Sequence, residues 1–128
     1  MAENNTKVLI VEDDKFLAEL ISTKLDKEGF QIVAANDGES GFKKAKEEKP
    51  QIILLDIMLP GMDGFEVLEA LKKDPDESVK KIPVIILSNF GQEEKVEKGL
   101  ALGAVDYLVK ANFTTGEIVQ KIKDVLNK

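Results

Sequence analysis

Three acidic residues, one lysine and one hydroxyl stand directly behind apolar runs in this chain. Glu12 and Asp13 follow KVLIV, Asp56 follows IILL, Ser88 follows VIIL, and Lys110 follows VDYLV. Two carboxylates held about 4 Å apart repel by roughly 4 kcal/mol at an effective dielectric near 20, so three in one crevice require a proton or a cation. A hard divalent ion meets that need. Magnesium takes oxygen ligands, keeps several waters and is commonly held by one or two carboxylates together with a phosphate oxygen. Lys110 would bring a point charge to the same phosphate and Ser88 a hydroxyl donor. Asp56 is then the candidate nucleophile, because a carboxylate forms an aspartyl phosphate when a metal neutralises the incoming charge.

The absences narrow the chemistry further. With no histidine and no cysteine, the chain lacks the Ser-His and Cys-His mechanisms, thiolate zinc sites and disulfides, and it cannot itself relay phosphate through a histidine. A net charge of -6 argues against direct nucleic-acid binding, which draws its affinity from lysine and arginine. The start, MAENNTK, is polar and no apolar run approaches membrane-spanning length, so the expectation is a protein without membrane insertion, located in the cytoplasm. At 128 residues with 43% hydrophobic content, residues 1–128 read as one domain with a core of ordinary size.

The apolar runs predict the frame that holds these groups. Ile52 to Leu55 is too short for a helix and shows no alternation, which is the pattern of a strand covered on both faces of a parallel sheet. Asp56 leaves that strand into a tight loop carrying Pro60, Gly61 and Gly64. Strands are also expected at 7–11, 30–35, 84–87 and 105–109. Between them lie helical patterns. The first runs from Phe16 to Gly29 with an apolar face of Leu17, Leu20, Ile21 and Leu25; others cover 39–49, 63–73 and 92–102. The last opens on the capping box TTGE at Thr114 and presents Ile118, Val119, Ile122, Val125 and Leu126. Residues 75–81 read as a charged surface loop. Five strands alternating with five helices imply an α/β fold, a doubly wound parallel sheet whose strand carboxyl ends share one edge. Strand order does not follow from periodicity.

Taken in order, VLIVEDD, IILLDIMLPGMDG, PVIILS and DYLVK resemble the receiver domain of two-component response regulators, and the resemblance covers essentially the whole chain. Each motif alone is weak; four in this order, each at a strand end, are specific. The resemblance implies a flavodoxin-like (βα)5 fold with strand order 2-1-3-4-5. It implies that Asp56 accepts a phosphoryl group from a histidine kinase or histidine phosphotransfer protein, with slow loss of that group and no sustained turnover. By the same resemblance Asp13 binds magnesium directly, Glu12 acts through water, and the backbone carbonyl of Met58 completes the protein ligands. Ser88 and Lys110 would hold the phosphoryl group, and Ser88 and Tyr107 would change packing together. The surface built by helix 92–102, strand 105–109 and the final helix would be read by a downstream protein, with homodimerisation on phosphorylation a further implication. Because the chain stops with that helix, the expectation is a single-domain type without an attached output domain, or a piece of a longer protein.

Several residues depart from the family pattern or carry a plainer reading. Ala111 stands where a proline usually follows the strand-five lysine; a cis bond there without proline would cost about 2.5 to 4 kcal/mol, which predicts retained strain or a rearranged loop that re-aims Lys110. Asn89 replaces a smaller residue. Met58 and Phe90 flank the expected phosphoryl position without a group to orient water, which predicts slow self-dephosphorylation. Asp13 and Asp14 also read as helix caps, Lys110 as a solvated lysine, and Tyr107 as half-buried packing with its hydroxyl near the surface. Rival functions are a flavin carrier, for which VEDDKF offers acids in place of a phosphate loop; a haloacid-dehalogenase-type phosphatase, which needs a second acid where Met58 stands; and a pseudo-receiver that binds partners without phosphorylation.

Overall fold

A computed structural model describes residues 6–127; most of the polar start read in the sequence, residues 1–5, lies outside the described residues. The elements in order are β1 (Lys7–Val11), α1 (Lys15–Lys27), β2 (Gln31–Ala35), α2 (Gly38–Glu48), β3 (Ile52–Leu55), α3 (Gly64–Lys72), a short α4 (Glu77–Lys80), β4 (Val84–Ser88), α5 (Glu93–Ala101), β5 (Asp106–Val109) and α6 (Thr115–Leu126). All pairings are parallel, in the order β2-β1-β3-β4-β5.

Successive strand residues face opposite sides, so a run such as IILL feeds two cores at once. Leu9, Ile53, Leu55, Val84 and Ile86 join Phe65 and Leu68 of α3 on one face. Val8, Ile10, Ile52, Leu54, Ile85 and Leu87 join Ile21 and Leu25 of α1 and Ile118 and Ile122 of α6 on the other. This double coverage explains why the strands lack alternation.

The register positions the candidate site. Val11 pairs with Leu55 across β1 and β3, so the next residues, Glu12 and Asp56, leave the sheet side by side. The amide of Asp56 still donates to the carbonyl of Val11 at 3.0 Å. Ser88 pairs with Val109 across β4 and β5, which puts Lys110 one step beyond that pair on the same edge.

Three local expectations change. The first face of α1 excludes Leu20, which is exposed together with Phe16; at 100° per residue Ile21 and Leu25 point inward, with Leu17 and Ala18 beside them, while Phe16 and Leu20 lie on a neighbouring stripe. Residues 75–81 are not merely a surface loop. Asp76 caps α4 through the Ser78 amide at 2.9 Å, Val79 is buried in the core, and the buried carboxylate of Asp74 pairs with Lys46 at 3.1 Å. Helix α2 ends at Glu48, one residue short of the expected span, and Lys49 at a φ of 44° makes a left-handed cap without glycine.

Candidate functional site

The carboxyl edge of the sheet gathers the predicted acids. Glu12, Asp13 and Asp56 each offer an oxygen, and these oxygens lie within 4.8 Å of one another. Glu12 and Asp56 are each 4% exposed whereas Asp13 is open to solvent. The neighbouring acid has a different task. Asp14 caps α1 by accepting from the Leu17 amide at 3.2 Å, so the capping reading belongs to Asp14 and leaves Asp13 at the cluster. Glu12 is oriented from below by its Oε2, which accepts from the Asp14 amide at 3.0 Å. Its Oε1 is buried without a hydrogen bond of good geometry.

Lys110 supplies the local cation. Its Nζ lies 3.0 Å from Glu12 Oε1 and 3.2 Å from Asp56 Oδ2, with only 14% of the side chain exposed. It is therefore not the solvated lysine of the plainer reading. Burial alone would lower its pKa, but Glu12 and Asp56 outweigh that and raise it. Burial pushes Glu12 up to about 7, and the adjacent Asp56 adds to the shift against the opposing bonds from the Asp14 amide and Lys110. The departure at Ala111 leaves the lysine's aim intact. No described peptide bond is cis; residues Lys110–Asn112 take a 3-10 turn, which carries the chain away while Lys110 reaches back to the acids.

Two buried carboxylates share one lysine and the exposed Asp13 stands beside them, so the site holds more negative charge than its own cation balances. A crowded cluster with an all-oxygen donor set suits a hard divalent cation such as magnesium. Met58 contributes a bond from its amide to Asp56 Oδ1 at 3.3 Å, and its side chain is 58% exposed at the mouth. A cleft of about 870 Å³ opens over the acids, lined also by Met58, Pro60, Asn89, Phe90, Lys95 and Lys98.

Ser88 is fully buried at the end of β4. Its Oγ accepts from the Phe90 amide at 2.9 Å, and a hydroxyl that accepts one bond retains its own proton to donate. Tyr107 departs from expectation: it is 8% exposed, and its hydroxyl donates to the Phe90 carbonyl at 2.7 Å. The ring packs in the core beside Gly99 and Ile86, so the hydroxyl reaches a part-buried main-chain acceptor. Phe90 thus joins Ser88 to Tyr107 through its two backbone groups. Sequence reading missed this link because it runs through a main-chain carbonyl, which no residue type announces.

The comparisons agree with this geometry. The response regulator receiver domain family matches residues 8–123. The alkaline phosphatase synthesis transcriptional regulatory protein PhoP of Bacillus subtilis is 36% identical over 124 residues, 97% of this chain and 50% of that protein. The chain spans about half the length of the curated relatives it matches. Among solved structures, the receiver domain of Francisella response regulator 1452 has a TM-score of 0.85 at 32% identity, covering 96% of this chain and 98% of that one. Chemotaxis protein CheY4 of Vibrio cholerae has a TM-score of 0.84 at 29% identity, covering 94% and 98%. With strand order, acidic edge and sequence match in accord, the chain belongs to the response regulator receiver domain family.

Proposed function

We propose that this receiver domain is a phosphoacceptor switch in which Asp56 takes a phosphoryl group from a phosphohistidine on a partner kinase or phosphotransfer protein. The single observation that carries the reading is the meeting of Glu12, Asp13 and Asp56 with Lys110 at one sheet edge. An oxygen of Asp56 forms the bond to phosphorus as the bond from phosphorus to the donor nitrogen breaks. Glu12, Asp13, Asp56 and the Met58 carbonyl are the groups that would hold magnesium, which supplies charge neutralisation for the phosphoryl oxygens. Lys110 exchanges part of its contact with Asp56 for a phosphoryl oxygen, and Ser88 donates its hydroxyl to another.

The added charge of about -1.5 to -2 then competes for Ser88 against the turn at Phe90, and Tyr107 is tied to that same turn. The surface of α5, β5 and α6 would carry the change to a downstream protein or a second copy; Leu100 and Val105 are exposed there. No described helix is long and apolar enough to cross a membrane, in keeping with action in the cytoplasm. Met58 and Phe90 bring no group to orient an attacking water, so the phosphorylated state is expected to be long-lived, with Met58→Asn shortening its lifetime more than Met58→Ala.

Intact-mass measurement after acetyl phosphate and magnesium tests the reading. One added phosphoryl group on the parent chain and none on Asp56→Asn is the expected result. No addition to the parent chain would overturn it in favour of a partner-binding module that works without phosphorylation.

A further inference from the structure

The loop that follows Asp56 is held from two sides. At its base the Gly64 amide donates to the Ile57 carbonyl at 2.9 Å, and a Cβ on Gly64 would stand 2.7 Å from the Ile57 Cα. At its far side the backbone of Met62 lies directly on Gly38, the first residue of α2. A Cβ on Gly38 would overlap the Met62 carbonyl oxygen and stand 2.7 Å from the carbonyl carbon. The two partners in this contact are not equally free to yield. Helix α2 is fixed from behind: a Cβ on Gly41 would stand 2.7 Å from a Val11 methyl, and Lys46 and Lys49 reach Asp74 and Asp76 at 3.1 and 3.0 Å. The loop faces solvent at Pro60 and Gly61, and a Cβ on Gly61 would meet nothing within 4 Å. A side chain at position 38 therefore displaces the loop and not the helix.

The same loop carries Met58, whose amide donates to Asp56 Oδ1 at 3.3 Å and whose carbonyl is among the groups that would hold magnesium. We propose that Gly38 is a positioning residue for this site: by letting α2 touch the Met62 backbone, it sets the place of the Met58 carbonyl and, through it, the affinity for magnesium. The inference rests on the phosphoacceptor reading above. Gly38 itself stands apart from the acids and touches no reacting group, so it acts only through the loop. An added methyl must push the Met62 oxygen away by about 1 Å, and misplacements of that size made far from the chemistry cost about 100-fold. Groups that orient metal ligands are worth about 10- to 100-fold in metal affinity.

Isothermal titration calorimetry of the full chain with magnesium, well below the melting range, gives the dissociation constant. Intact-mass labelling by acetyl phosphate across magnesium concentrations gives the metal requirement for transfer. Gly38→Ala is expected to bind magnesium about tenfold more weakly and to need correspondingly more for half-maximal labelling, while its rate at saturating magnesium stays close to the parent's. Val79→Ala, a core variant in α4, loses stability without touching the loop and should keep the parent affinity, which separates positioning from general weakening. Met62→Ala removes the side chain that packs the loop against the core and should weaken magnesium binding in the same direction; it decides the matter if thermal melts show that Gly38→Ala does not fold. Parental affinity in Gly38→Ala, or in Met62→Ala where that variant decides, overturns the inference, as does an equal loss in Val79→Ala. The parent chain alone judges the underlying reading: absence of labelling there overturns both.

Discussion

Replacing Lys110 with methionine keeps the length of the stem and removes the charge that two buried carboxylates share. In the parent chain the ammonium sits 3.0 Å from Glu12 and 3.2 Å from Asp56. Each contact is worth about 5 kcal/mol of gross attraction at an effective dielectric near 20, most of it offset by desolvation. Removing one partner of a buried pair typically costs about 3 to 5 kcal/mol, because the remaining charge is left uncompensated. Protonation limits the damage. Glu12, whose pKa is pushed up to about 7, is ionised at pH 8 but carries a proton at pH 5.5, where one charge fewer is left uncompensated. The loss for Lys110→Met in metal-free buffer should therefore be about 3 kcal/mol at pH 8 and less than half that at pH 5.5. For a domain of this size that is a fall in Tm of about 10 °C at the higher pH. Saturating magnesium should narrow the gap, since a cation selective for the folded state replaces the missing charge. Thermal melts by circular dichroism in EDTA and in magnesium, at both pH values, measure all four conditions. A variant that melts with the parent at pH 8 in EDTA would refute the shared-cation account.

Other outcomes follow from the same contacts. Glu12 has a folded pKa above its ordinary 4.5, at about 7, so its contribution is fully present below pH 4.5 and is lost as pH rises through 7. Metal-free stability should drop by about 3 kcal/mol from this group across that window, and Glu12→Gln should flatten the urea-midpoint profile; an unchanged slope would contradict the assignment. A methyl at Gly38 would stand 1.8 Å from the Met62 carbonyl oxygen, so Gly38→Ala should cost about 1 to 3 kcal/mol by chemical denaturation. Tyr107→Phe leaves the Phe90 carbonyl without its 2.7 Å donor and should cost about 1 to 2 kcal/mol, with a neutral result showing that water replaces the hydroxyl.

Legibility in the sequence followed whether a feature was local. The apolar runs located every strand to within a residue or two, because a strand buried on both faces leaves a continuous signal. The capping box at Thr114 was legible for the same reason, and it is formed. Glu12, Asp13, Asp56, Ser88 and Lys110 were each legible as strand-end groups, but their convergence required the order β2-β1-β3-β4-β5, which resemblance supplied and periodicity did not. What escaped depended on contacts between distant segments. The buried Asp74 pairs with Lys46 of α2, the Tyr107 hydroxyl finds a carbonyl 17 residues away, and Leu20 is left outside because the stripe of Ile21 and Leu25 faces the core. The short α4 was hidden because a four-residue helix is too brief for its period to register, and its identity rests on the Asp76 cap.

Asp56 is proposed as a metal-dependent acceptor, and its modification can be read directly. Trapping the acyl phosphate with borohydride after incubation with acetyl phosphate, followed by peptide mass mapping, locates the modified residue. The predicted result is reduction at Asp56 alone, present with magnesium and absent with EDTA. Modification that is indifferent to EDTA, or that maps to any other residue, would contradict it.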